Sequence, residues 1–129
     1  MKIPDCDRFK SLIIGTNFVV LTLIITNQAF GQSDMRLKPQ NCSAEDNLRS
    51  LSSQISTNIR FINQKTFRVK VYWIDFTGKR QHYFDLEPNQ TYEQQTFVSH
   101  PWLITEAGDN QPCINIFFPN EKPGIVIID

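Results

Sequence analysis

Two histidines, His82 and His100, and three cysteines, Cys6, Cys42 and Cys113, are the side chains best suited to metal or nucleophilic chemistry, and their spacing supports neither. A zinc site needs closely paired ligands, which these separations do not supply. Serine, histidine and aspartate are all present, but no Gly-x-Ser-x-Gly elbow sets up a nucleophile. There is likewise no His-Glu-x-x-His and no glycine-rich phosphate loop. Asp75 and Asp85 flank a turn, where carboxylates are ordinarily solvated. The chain therefore reads as non-enzymatic, with no cofactor and no metal. Its informative groups lie in Val71–Gly78, in Tyr83 with Leu86-x-Pro88, and in Gln95–Leu103. Indoles and phenols offer flat apolar walls with one polar tip. Hydroxyls and neutral imidazoles can donate or accept a hydrogen bond. That is the chemistry of binding.

The elements that must position these groups begin after a leader. Met1–Lys10 carries Lys2, Arg8 and Lys10, the stretch Leu12–Ile25 is apolar, and Ala29 and Gly31 put small residues where a signal peptidase reads. This is the pattern of a secretory signal, with cleavage after Gly31. About 14 apolar-dominated residues fall short of the ~20 that span a bilayer; an uncleaved anchor is the alternative. The division is then a signal peptide at 1–31, a flexible leader at 32–47 and a folded domain at 48–129, with a secreted or periplasmic destination and no membrane partner after cleavage.

Three basic and two acidic residues leave with the signal, so 10 basic and 11 acidic remain. Such a balance offers no basic surface to nucleic acid. Cys6 leaves too, and the two cysteines that remain in an exported chain read as one disulfide, Cys42–Cys113. Closing a loop of roughly 70 residues is worth up to about 4 kcal/mol, which matters in a domain too small for its core alone to give a wide margin. Asn41-Cys42-Ser43 and Asn89-Gln90-Thr91 match the glycosylation pattern, meaningful in a eukaryotic host.

Ser43 with Asp46 could open a short helix over Ser43–Ile55, or Leu48–Leu51 could be a first strand; the apolar positions do not decide. Beyond Thr57 the hydrophobic period is two. Ile59, Phe61 and Asn63 alternate with Arg60 and Ile62, and Phe67, Val69, Val71 and Trp73 alternate with Arg68, Lys70 and Tyr72. The far face of that second run turns apolar through Tyr72, Ile74 and Phe76, so it is covered by a loop or lines a site. Thr77-Gly78 and Glu87-Pro88-Asn89 are turns, and Pro101 puts the following segment at an edge or bulge. Six or seven short strands at roughly ten-residue spacing indicate an all-β, antiparallel sandwich.

The ordered set of Trp73, Gly78, Tyr83, Leu86-x-Pro88 and His100-x-Trp102 resembles the β-domain of the von Hippel-Lindau tumour suppressor family, without gaps from Leu48 to Gly108. The resemblance implies a seven-stranded antiparallel β-sandwich that reads a 4-hydroxyproline on an extended peptide, in that family from the hypoxia-inducible factor α-subunit. It assigns the pocket to Trp73, Tyr83, Thr96, His100 and Trp102: indole walls from Trp73 and Trp102, a backbone contact from Tyr83, and a hold on the ligand hydroxyl from Thr96 and His100. Trp73 and Tyr83 share a face only if the loop at Thr77–Gly78 has an odd number of residues. The family's polar pair on the first strands becomes Ser52 and Gln54, and its second tyrosine becomes Phe97. The helical domain that recruits an elongin–cullin ubiquitin ligase has no counterpart here, so no elongin or ligase partner is expected. The expected partner is a peptide or protein, hydroxyproline-containing on the first reading. The alternative is a structural or interaction domain of an exported assembly, with the same residues kept for packing.

Overall fold

The computed structural model describes residues 35–129; the signal reading of 1–31 and the first leader residues lie outside them. The strands are β1 (Met35–Arg36), β2 (Ser56–Asn63), β3 (Val69–Ile74), β4 (Arg80–Leu86), β5 (Thr91–Phe97), β6 (Trp102–Glu106), β7 (Cys113–Phe117) and β8 (Gly124–Ile128), with a 3₁₀ helix at Cys42–Asn47. They form two four-stranded sheets, ordered β1-β8-β2-β5 and β4-β3-β6-β7.

Burial follows the alternation in β2, where Thr57, Ile59, Phe61 and Asn63 face inward. Between the sheets, Ile59, Phe61, Val126 and Ile128 meet Val69, Val71, Leu86, Trp102, Ile104 and Phe117. The second sheet is buried on its other face as well, where Tyr72, Ile74, Leu103 and Ile116 pack under Leu48, Cys113 and Phe118. That double burial is why β3 and β6 read as nearly continuous apolar runs. It also answers the change of character along β3: a covering segment, not an open site, lies over Tyr72 and Ile74. Asn63, fully buried, is satisfied by donating to the Phe67 and Leu86 carbonyls and accepting from the Lys65 amide.

Four expectations need correcting. The sandwich is not purely antiparallel, because β8 runs parallel to both β1 and β2, between which it lies. Hydrophobic period identifies a strand and its faces but carries no direction. Among the described residues there are eight strands rather than seven; β1 is two residues long, too short to show a period. Segment 32–47 differs from a flexible leader from Met35 onward. Leu37 is buried, Gln40 bridges Ile116, and the Cys42–Cys113 disulfide fastens the 3₁₀ helix to β7. The Arg80 guanidinium pairs with both Glu45 carboxylate oxygens and so holds the same helix against β4. Finally, of the edge or bulge expected at Pro101, the edge is absent, while β6 does shift register between Ile104 and Thr105. Pro101 stands immediately before β6, an interior strand, and its carbonyl accepts the Ile74 amide at 3.0 Å. One position before the strand, its missing N–H costs the ladder nothing.

Between the 3₁₀ helix and β2, residues 48–55 form neither proposed element but an extended strap. The helix begins at Asn41, whose side chain accepts the Ser43 amide, rather than at Ser43.

Candidate functional site

The β3–β4 hairpin sets the site. Its loop is Asp75–Lys79, between the paired residues Ile74 and Arg80, an odd count of five. Asp75 organises it: Oδ1 accepts from the Thr77 amide, the Thr77 hydroxyl and the Lys79 amide at 2.7–2.9 Å, and Oδ2 accepts from Gln81 at 2.8 Å. These bonds, those of the Thr77 and Gln81 side chains foremost, hold the carboxyl well below the ordinary carboxylate range. Gly78 closes the loop at φ +82, and a Cβ there would stand 3.0 Å from the Leu48 carbonyl.

With Trp73 opposite Gln81, regular pairing would continue to Val71 opposite Tyr83. Instead Val71 pairs with Phe84, and the register shifts there. The extra residue makes a β-bulge, which re-aims side chains. Phe84 packs edge-on against Phe61 in the core, while its neighbour Tyr83 meets Trp102 and Trp73 at ring separations of 4.9 and 6.2 Å.

All five expected residues converge. Trp73 and Trp102 are direct cross-strand partners on β3 and β6. The Trp73 ring stacks on His100 at 5.1 Å and 28°. From the other sheet, Thr96 on β5 accepts the Trp102 indole N–H at 2.9 Å. The members differ in access: Trp102, Thr96 and His100 are 1%, 2% and 7% exposed, Trp73 is partly buried, and Tyr83 is 46% exposed. A concave surface of about 490 Å³ lies against Trp73, Phe76, Gln81 and Tyr83; Thr96, His100 and Trp102 do not line it.

The strap supplies partners that spacing did not reveal. Ser50 Oγ accepts the Trp73 indole N–H and donates to the Ile74 carbonyl, both at 2.7 Å. Ser53 Oγ lies 3.2 Å from His100 Nε2. Ser99 bonds the Ser52 amide and carbonyl, tying strap to site. Ser52 and Gln54 are exposed on this strap rather than on a strand. Phe76 and Phe97 complete the aromatic ring around His100, at 5.5 and 5.1 Å. The serines fell within the matched stretch, but polar residues in a loop carry no periodic signal.

Burial disfavours the His100 imidazolium and lowers its pKa below the ordinary 6.5, against the weaker opposing pull of the Ser52 backbone. The neutral ring can therefore accept a hydrogen bond. Because the unfolded chain takes up this proton first, His100 favours folding above pH 6.5 and weakens it as pH falls through the lower, folded-state value. Urea midpoints at pH 7.5 and 5.5 should show a decline that His100→Gln reduces; an equal decline in both proteins rules this out.

Among the described residues no group of three or more His, Cys, Asp or Glu side chains could hold a metal ion, and no helix is long and apolar enough to cross a membrane. The arrangement offers aromatic walls backed by a hydroxyl and a neutral imidazole. The family model for the VHL β-domain matches residues 48–126, more than half of the chain, and the protein belongs to that family.

Proposed function

We propose that this protein is an exported, non-enzymatic module that takes the hydroxylated ring of an extended peptide, hydroxyproline in the first instance, between Trp73, Tyr83 and Trp102. The family is one of non-catalytic domains that bind peptides. The observation that carries the reading is the convergence of the five side chains, with the Thr96 hydroxyl and neutral His100 behind the rings. A ring alcohol needs one donor and one acceptor at its oxygen, and plain proline, lacking the hydroxyl, would forgo both bonds. Because Thr96 and His100 are buried, the ring enters past Tyr83, whose hydroxyl makes no hydrogen bond among the described residues. The disulfide accords with an oxidising compartment and so with export.

The test is a titration with hydroxyproline and proline versions of one peptide. A tenfold preference, about 1.4 kcal/mol, supports a working pocket; equal binding overturns it. Trp73→Ala, at a partly buried rim position, should leave the domain folded by circular dichroism and weaken the hydroxyproline peptide at least tenfold.

Burial of Thr96, His100 and Trp102 favours a second reading, in which the cluster is packing in a structural module of an exported assembly. On that reading Trp73→Ala and His100→Ala unfold the domain, and neither peptide binds the parent protein.

A further inference from the structure

Among the described residues one buried polar side-chain atom has no partner. Thr57 is 4% exposed, and its hydroxyl makes no hydrogen bond. An unpaired buried hydroxyl is costly, whereas valine has much the same shape, is favoured in strands and carries no such cost. The position of the hydroxyl suggests what it does. Thr57 is the first inward-facing residue of β2, next to the exposed Ile55 and Ser56, so it lies where the core meets the site. Its direct cross-strand partner is Thr96.

A threonine hydroxyl has one proton and two acceptor positions. The Trp102 indole occupies one acceptor position on Thr96, leaving a lone pair and a proton unassigned. Facing side chains on an antiparallel rung are close enough for Thr–Thr hydrogen bonds. We propose that Thr57 is a positioning residue: rotated about χ1, its hydroxyl donates to the second acceptor position of Thr96 and thereby directs the Thr96 proton outward to the ligand. Thr96 then acts as the donor, and the ligand hydroxyl in turn donates a hydrogen bond to His100 Nε2, in place of Ser53 Oγ, which lies 3.2 Å from that nitrogen. A group that accepts from Thr96 and donates to His100 through the same atom is an alcohol, not an ether or a fluoride. This rests on the pocket reading above.

The experiment uses the purified protein and the blocked tripeptides acetyl-Ala-Hyp-Ala-amide and acetyl-Ala-Pro-Ala-amide. The two tryptophans of the chain both stand in the site, so their indole N–H resonances serve as reporters. Thr57→Val should keep or raise the melting temperature and weaken the hydroxyproline tripeptide about tenfold, with the proline tripeptide unchanged. The Trp102 indole resonance should shift while that of Trp73 stays in place, and Thr57→Ser should restore binding. Thr57→Ala set against Thr57→Ser repeats the comparison at smaller volume if valine is not accommodated. A parent that discriminates alongside a Thr57→Val variant that discriminates equally well overturns the role of Thr57 alone. A parent that does not discriminate overturns the pocket reading together with it.

Discussion

Removing the Cys42–Cys113 bridge, by reduction or as the double variant Cys42→Ser with Cys113→Ser, should lower stability by about 4 kcal/mol in the chain-entropy model. The bridge spans 71 positions, so the loop it closes in the unfolded chain is long. The loss has a second source in the native state. The bridge holds the 3₁₀ helix and the start of the strap against β7, over the face formed by Tyr72, Ile74, Leu103 and Ile116. Without the bridge, that cover rests on the partly buried Arg80–Glu45 pair and on the Gln40–Ile116 bridge. Urea denaturation of oxidised and reduced protein measures the difference through the midpoint. A midpoint unchanged by reduction would mean that the cover holds itself in place.

Trp102→Ala should cost about 3–5 kcal/mol, in the range for large buried aromatics. Trp102 fills the end of the core between Phe61, 5.7 Å away edge-on, and Tyr83. Its loss opens a cavity and strips Thr96 of its indole partner, leaving the Thr57–Thr96 rung without any donor from the opposite sheet. Trp102→Phe separates the contributions: most of the ring volume returns but the N–H does not, leaving a cost of about 1–3 kcal/mol for the unpaired hydroxyl. Urea midpoints of both variants check this, and similar losses for Ala and Phe would contradict the volume argument. Binding data on Trp102→Ala therefore report folding first, whereas Trp73 is the residue to change when the pocket itself is in question.

Much of this was legible because burial imposes a period. Ile59, Phe61 and Asn63 alternate in the sequence and face inward in the structure. The disulfide followed from an even cysteine count. Other features left no such trace. The shift at Tyr83 depends on which residue the partner strand skips, and either choice leaves the same letters in the chain. The odd loop could be stated as a condition of Trp73 and Tyr83 sharing a face, but its five residues depend on Asp75 gathering three donors at one oxygen. Leu37 packs so closely over Gly124 that a Cβ there would lie 2.8 Å from it, a contact across most of the chain that neither local segment announces. The five site residues were located by their resemblance to a family rather than by any period of their own.

The place of β8 has a consequence for how the molecule is made. It is the last of the described strands to leave the ribosome, yet it lies between β1 and β2 and brings Val126 and Ile128 into the core. Until it arrives, β1 has no strand to pair with and β2 has only β5. Pairings this distant in sequence form slowly. Folding of the first sheet therefore waits on β8, whereas the second sheet, β4-β3-β6-β7, has all its pairings available before that strand appears.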